Sequence, residues 1–222
     1  MRISQLKLVR VAAIICITAC IVDFAILFLY GSYYPRYSQL KNTISLLGAS
    51  ISPVSKLISV WWTLIGIIFI FFGFVFRKAF DKKLKNVKFA SVLIMLYGLG
   101  EGIGSGLFKA DIIAGRMTGS FIMHNILGGI GVIAALILPL VMLTTMTKKN
   151  RCGFYLFSWI VFVIGLITMF LFTIRFSSKD NLINLYRGLW QRLFMLNLYL
   201  YFITISVIMY YKKSIFHNAK NV

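Results

Sequence analysis

The side chains best suited to acid–base chemistry lie inside long apolar segments of the chain. Asp23 and Glu101 are carboxylates in such segments, and His124 and Arg192 lie in two later ones. An ionisable group inside a membrane is costly to bury and usually faces the interior of a helix bundle or a water-filled cavity. We therefore take Asp23, Glu101 and His124 as candidate catalytic acids or bases. Arg192 is the candidate for holding an anionic group.

Other polar residues near these groups could bind the polar part of a ligand. The candidate ligand-binding residues are Arg192, Gln191, Asn42, Ser45, Asp111 and Asn125. Five further cations could hold phosphate headgroups, although for each one alone a solvated loop charge is the favoured interpretation: Arg36, Lys109, Arg116, Arg175 and Arg187. The structural alternative for the whole set is that Asp23 or Glu101 pairs with Arg192 and only holds helices together.

Metal and nucleophilic chemistry have weaker support in the sequence. A metal site formed by His124 and nearby carboxylates is a lesser alternative, because zinc sites usually take more His or Cys ligands. We predict neither a metal nor a cofactor. Ser38, Ser45 and Ser105 could be nucleophiles, but the sequence places no base beside any of them. Helix capping or close packing is therefore the favoured role for each.

Composition assigns these residues to a membrane protein. The chain has 222 residues, of which 60% are hydrophobic and 13% charged, with a mean hydropathy of +0.89. The net charge of +19 would suggest nucleic acid in a soluble chain. Here the basic residues fill short connections between apolar spans, as the positive-inside rule requires, so no nucleic-acid partner is predicted.

Hydropathy predicts an all-α bundle of six transmembrane helices in a single domain. Each apolar segment is near the roughly 20 residues needed to cross the hydrocarbon core. The predicted spans are 9–30, 53–76, 89–108, 120–143, 153–174 and 190–211. More than half of the 24 Lys and Arg residues fall at the end of the bundle that holds both termini, which predicts cytoplasmic termini. Asp23 and Glu101 then lie ~10 Å below the outer edge.

A glycine-rich stretch in the third span predicts that this helix is central. On a helix, Gly98, Gly102 and Gly106 share one face, and Gly100 and Gly104 share another. Ridges of small residues let helix backbones approach closely in lipid. With two such ridges, the third helix should be packed by neighbours on both sides.

The first outer connection is predicted to contain structure of its own. Ser38 could cap a short helix that runs to Leu47 and ends at Gly48. Ser52 and Pro53 have the residue types of a cap and a first helical residue, so they should begin the second span.

Four motifs resemble the signature of a family of bacterial six-helix membrane proteins. The motifs are Tyr37-Ser38-x-x-x-Asn42-Thr43-Ile44-Ser45-x-x-Gly48, Gly106-x-Phe108-x-Ala110-Asp111, His124 at the start of the fourth span, and Gly188-Leu189-x-Gln191-Arg192. The family is catalogued as a domain of unknown function, number nine hundred and ninety-eight. The resemblance covers nearly the whole chain and implies the same six-helix fold.

Two positions depart from the family pattern. Lys109 stands where proline is expected, and Gln191 stands where an acid is expected. If that acid is needed for chemistry, the departure counts against catalysis in this chain. The layout also distantly resembles the DRAM-like and Frag-like membrane proteins, some of which act in remodelling lipid anchors, and this fold-level analogy points towards lipids.

These observations predict a multi-pass protein of the bacterial inner membrane that binds a membrane lipid or another lipophilic molecule in an outward-opening pocket. Lipid-modifying chemistry is a further possibility at that pocket. The alternatives are a small proton-coupled transporter that uses Glu101 as its proton site, and a non-catalytic scaffold. Nothing in the sequence specifies an oligomer.

Overall fold

The computed structural model describes residues 3–80, 84–146, 152–177 and 181–218. Within these ranges, six helices are long and apolar enough to cross a membrane. They are α1 Ile3–Ser32, α2 Ser55–Ala79, α3 Lys85–Leu107, α4 Gly119–Thr145, α5 Cys152–Thr173 and α6 Arg187–Asn218. The predicted all-α, six-helix membrane fold is confirmed.

Short elements connect the helices at one end of the bundle. This end, called the loop end below, carries the connections 33–54, 108–118 and 174–186. They contain the 3-10 turn Ile44–Gly48, an antiparallel hairpin of the two-residue strands Ile112–Ile113 and Arg116–Met117, and the helical turn Leu182–Leu185. The opposite end, called the terminal end, carries the start of α1 at Ile3 and the end of α6 at Asn218, because six helices cross the bundle.

The first connection differs from its prediction. The helix expected from Ser38 to Leu47 is wrong, since only the 3-10 turn Ile44–Gly48 forms. Asn42 Oδ1 instead accepts a hydrogen bond of 2.7 Å from Ser38 N, and such local side-chain bonds offer the backbone an alternative to helix. The predicted start of the second span is also wrong. Helix α2 begins at Ser55, after a turn in which Ser52 Oγ accepts from Val54 N at 3.4 Å.

Helix α3 runs between α2 and α4, as its two glycine faces predict. A Cβ added to Gly102 would overlap the backbone of Gly66 in α2. A Cβ added to Gly100 would overlap Leu127 O and the backbone of Gly131 in α4. Glycine is required at these contacts because two helix backbones touch there without side chains between them.

The glycine stretch changes the helix type within α3. Residues Gly98–Gly104 form a π-helical segment between α-helical segments at Lys85–Tyr97 and Ser105–Leu107. Segments of this kind are rare and often occur at functional sites. Glu101 lies in the middle of this one.

Large side chains fill the half of the bundle nearer the terminal end. The largest fully buried ones include Phe69, Phe72, Phe76, Tyr201 and Phe202. The Phe69 and Phe202 rings lie 4.8 Å apart between centroids. Close contacts of this kind stabilise helix association in lipid, where the hydrophobic effect between helices is absent.

Helix α5 is peripheral. Only 22% of its most apolar window is buried within the bundle, compared with 56% for α3. Its main neighbours are α6 and α4. At the loop end, α5 and the five other helices line a cavity.

A candidate lipid-binding cavity

A cavity of about 410 Å³ lies inside the loop end of the bundle. All six helices and the 3-10 turn contribute to its wall. Six of the predicted site residues line it: Asp23, Glu101, His124, Asn125, Ser45 and Gln191. The other three, Arg192, Asn42 and Asp111, are not part of the wall.

Asp23 is held by two donors from different helices. Its Oδ1 accepts a hydrogen bond of 2.6 Å from Trp61 Nε1 in α2, and its Oδ2 accepts one of 2.5 Å from Tyr199 OH in α6. Asp23 is only 3% exposed. Both carboxyl oxygens are therefore engaged in joining α1 to α2 and α6, which suits a structural clasp better than proton transfer to a ligand.

Glu101 faces the cavity with fewer partners. Its Oε2 lies 3.5 Å from Ser105 Oγ, one turn along α3. Across the cavity, Gly128 of α4 has no side chain, and a Cβ there would stand 3.8 Å from Glu101 Oε1. Because Glu101 lines the cavity, a ligand or water there can reach its carboxyl group.

His124 forms two hydrogen bonds with groups far away in sequence. Its Nδ1 lies 2.9 Å from the carbonyl oxygen of Phe108, at the end of α3. Its Nε2 lies 3.1 Å from Ser45 Oγ, in the 3-10 turn. The sequence showed no base beside Ser45, yet the fold places the imidazole of His124 there.

Arg192 supports a connection instead of facing the cavity. Its guanidinium donates to four neutral acceptors: Asn42 O and Gly188 O at 3.0 Å, Tyr37 OH at 2.7 Å and Gln39 Oε1 at 2.6 Å. It also lies over the rings of Phe28 and Tyr37. The alternative in which Asp23 or Glu101 pairs with Arg192 is therefore wrong, because these donors bind the first connection and Gly188.

Two further predicted residues, Gln191 and Asp111, also bind the first connection. This connection, residues 33–54, is called the roof of the cavity below. Gln191 Oε1 accepts a hydrogen bond of 2.7 Å from Ile44 N, a contact that an acid at this position could also make. Asp111 lies on the outside, where its two oxygens accept from Ser50 N at 2.7 Å and Ser50 Oγ at 2.6 Å. These bonds hold the pKa of the Asp111 carboxyl below its usual value.

Lys109, the other departure from the family pattern, joins α3 to the start of α2. Its Nζ donates to Ser59 Oγ at 2.5 Å and to Ser55 Oγ at 2.9 Å. Desolvation by burial lowers the pKa of this ammonium group. Lys109 does not line the cavity.

Two arginines stand at the mouth of the cavity. Arg175 Nη1 donates to the carbonyls that end α5, including Phe172 O at 2.8 Å. Arg187 lies over the Phe172 ring at 5.4 Å and close enough to Arg175 for their like charges to interact. Among the described residues, the buried Nε of Arg187 has no hydrogen-bond partner. The pair therefore presents positive charge to the cavity.

The cavity is bordered by unfilled space and exposed side chains on the side of α4 and α5. Gly129 of α4 lines this region, and a Cβ added there would meet nothing within 4 Å. The neighbouring cavity residues Asn125 and Thr173 are exposed. The wall thus carries exposed polar side chains where α4 and α5 border the cavity.

No group of three or more His, Cys, Asp or Glu side chains within the described ranges is arranged to hold a metal ion. Local sequence carried no signal for several of the groups that shape the cavity, namely Trp61, Tyr199 and the pairing of Ser45 with His124. Each depends on contacts between residues 38 to 176 positions apart.

The fold and cavity define a polytopic membrane protein of six helices with a cavity at one end whose wall carries both apolar and polar side chains. The chain belongs to the family described as Protein of unknown function (DUF998), which it matches over residues 17–208. The resemblance drawn from the four motifs is thus confirmed, and the distant likeness to DRAM-like and Frag-like proteins stays a prediction. No curated protein and no solved structure matches the chain.

Proposed function

We propose that this protein binds an anionic lipid in the cavity at its loop end. The arginine pair at the mouth is the observation that carries the proposal. Arg175 and Arg187 lie close together, and no carboxylate among the described residues pairs with either of them. Like charges held this close are stabilised by an anion between them, and guanidinium groups suit phosphate because they can donate two parallel hydrogen bonds.

The cavity supports an amphiphilic ligand in both size and lining. Its volume of about 410 Å³ lies in the roughly 300–1,000 Å³ range typical of small-molecule sites. Below the arginines the wall is largely apolar, with Met169, Phe172 and Phe194 among its residues. This arrangement fits a charged headgroup at the mouth and the first part of an acyl chain beneath it.

Access from the membrane supports a lipid over a water-soluble anion. Gly129 of α4 leaves space free at the wall of the cavity, and α5, which also lines the cavity, is the helix least buried by the others. We infer that a lipid enters between these two helices. The ends of the acyl chains could remain in the bilayer while the headgroup enters. With the predicted cytoplasmic termini, the ligand would come from the outer leaflet of the bacterial inner membrane.

The headgroup contact is tested by native mass spectrometry of the purified protein with phosphatidylglycerol or phosphatidylcholine. We expect phosphatidylglycerol to be retained preferentially. Arg187→Gln should weaken its retention by about tenfold or more, because a hydrogen bond to a charged group contributes about 1.5–3 kcal/mol. Arg116→Gln is the control, since Arg116 is exposed in the hairpin away from the cavity. Equal retention of both lipids by the folded protein would refute the proposal.

The site of binding is tested by filling the cavity. Gly129→Leu should place its side chain at the wall of the cavity, where an added Cβ meets nothing within 4 Å, and abolish lipid retention while the protein stays folded. Gly153→Leu is the matched control, because a Cβ there also meets nothing within 4 Å but lies at the terminal end of α5. If Gly129→Leu retains as much lipid as Gly153→Leu, the ligand binds elsewhere.

A further inference from the structure

Ser45 and His124 meet at the wall of the cavity in the geometry of a nucleophile and its base. They are 79 positions apart in sequence, and their Oγ and Nε2 atoms lie 3.1 Å apart. Both residues line the cavity. A nucleophilic serine requires a base within about this distance, with the base oriented by a third group.

The third group is the carbonyl oxygen of Phe108, 2.9 Å from His124 Nδ1. A carbonyl oxygen can only accept a hydrogen bond, so Nδ1 carries the proton of the neutral imidazole. Nε2 then has a free lone pair, and Ser45 donates its hydroxyl proton towards it. This is the tautomer that a general base needs.

The turn that carries Ser45 is held on both sides. Thr43 O accepts a hydrogen bond of 3.0 Å from Tyr37 OH, and Ile44 N donates to Gln191 Oε1 at 2.7 Å. Fixed surroundings of this kind preorganise a reacting group. Because Oε1 of Gln191 is the acceptor, the amide NH2 of the same side chain can donate to a negatively charged oxygen in the cavity.

We propose that Ser45 and His124 cleave an acyl ester of the lipid bound in the cavity, a step that rests on the proposed lipid binding. Ser45 Oγ attacks the ester carbonyl carbon while His124 Nε2 takes the hydroxyl proton. The carbon–oxygen bond to the lipid's glycerol then breaks, and the departing oxygen receives that proton from His124. Water, deprotonated by His124, next attacks the acyl-Ser45 ester. Ser45 Oγ leaves with the proton, and a fatty acid is released.

A purely structural role makes a different prediction. In a structural role, the Ser45–His124 hydrogen bond would only hold the first connection against α4. The Ser45 hydroxyl would then be no more reactive than that of any other serine. Reactivity towards a fluorophosphonate separates the two, because this reagent bonds covalently to a serine whose base removes its proton. The wild-type protein alone can therefore decide the question.

The experiment treats the full-length protein in phosphatidylglycerol nanodiscs with an alkyl fluorophosphonate and maps the adduct by peptide mass spectrometry. We expect an adduct on Ser45 and release of fatty acid from phosphatidylglycerol. His124→Gln should lower both rates by about 100-fold or more, as expected for loss of a general base. Ser59→Ala is the matched control. Ser59 also lies beside a basic group, Lys109, but is outside the cavity, so labelling should persist.

Three results would overturn the proposal: no adduct on the folded protein, an adduct on Ser59 or another residue instead of Ser45, or labelling of Ser45 without release of fatty acid. The native mass spectra keep this outcome separate from lipid binding. If phosphatidylglycerol is retained but no adduct forms, ester cleavage fails and lipid binding stands. If Ser45 reacts and esters are cleaved without preference for an anionic headgroup, headgroup recognition fails instead.

Discussion

The two halves of this bundle use glycine and aromatic residues in opposite ways. Towards the terminal end, Phe72 and Phe76 fill the interior and are almost completely buried. At the loop end, Gly128 and Gly129 line the same cavity as Glu101 and put no side chain into it. The same six helices therefore provide a packed half and a hollow half.

The boundary between the halves runs through two buried carboxyl groups. Asp23 has a donor for each of its oxygens, whereas Glu101 has one serine at 3.5 Å and the open cavity. A buried polar group is usually fully hydrogen-bonded, and exceptions call for an explanation such as a ligand or water. The difference indicates that Asp23 closes the packed half and Glu101 belongs to the hollow one.

The largest expected effect comes from adding bulk at the closest helix contact. Gly102→Leu would force a side chain into the backbone of Gly66 and should cost more than about 5 kcal/mol, enough to unfold a marginally stable protein. Gly129→Leu, in open space, should leave folding intact. Membrane yield and unfolding in detergent measure both variants, and equal tolerance would mean that the two glycine sites do not differ as described.

The second largest effect is expected when an aromatic ring is removed, and the loss of stability should differ between the two halves. Phe72→Ala should destabilise the protein by about 3–5 kcal/mol, because its side chain leaves a cavity in a packed interior. Phe172→Ala removes the same atoms from the wall of an existing cavity. It should lower the free energy of unfolding by about 1 kcal/mol, and this figure includes the lost contact with the Arg187 guanidinium. Thermal unfolding of the two variants gives the comparison, which is contradicted if their midpoints shift equally.

Replacing each carboxyl group by an amide tests whether Asp23 and Glu101 differ as described. Asp23→Asn should destabilise the protein by about 1–3 kcal/mol, because one of its two buried donors loses its acceptor. Glu101→Gln should change stability by less than about 0.5 kcal/mol, since its carboxyl group faces the cavity. Both are read from unfolding in detergent, and a larger loss for Glu101→Gln would reverse the assignment of the two groups.

The smallest effect is expected outside the cavity, at Asp111. The hydrogen bonds from Ser50 depress the pKa of this carboxyl below 3.8, so their contribution is complete above the unfolded pKa and is lost as the pH falls through the folded one. The protection factor of the Ser50 amide, which is the ratio of its intrinsic to its observed exchange rate, should be high at neutral pH and fall below about pH 4.

Asp111→Asn serves as the reference for this titration. An asparagine has no carboxyl group, so the protection factor at Ser50 should no longer fall with acid, while global stability changes by less than about 0.5 kcal/mol. An acid-dependent protection factor that persists in Asp111→Asn would assign the effect to another group.

Periodicity in the sequence was enough to predict the packed part of this architecture. Hydropathy located the six helices, and the four-residue spacing of Gly98 and Gly102 identified the face that contacts α2. These features depend on residues close in sequence, whose relative placement a helix fixes. The π-helical form of Gly98–Gly104 was not predictable, since the glycines tolerate several backbone forms.

The cavity was predictable only in part. Glu101 and His124 stood out because ionisable groups are rare in membrane spans. Arg192 misled the prediction, because a guanidinium can satisfy neutral carbonyls as well as anions, and sequence does not show which it meets. The contact of Ser45 with His124 joins a connection to a distant helix, and no local pattern encodes that distance.

The hydrogen bonds of Arg192 also determine when the roof of the cavity can form during synthesis. Its guanidinium reaches back 150 residues to Asn42 and 155 to Tyr37, and Gln191 reaches back 147 to Ile44. Chains emerge from the ribosome N-terminus first, so the first connection must wait for the last helix before its final contacts form. A nascent chain that stops before α6 would have five inserted helices and an unfinished cavity, so the roof can close only after α6 has been synthesised.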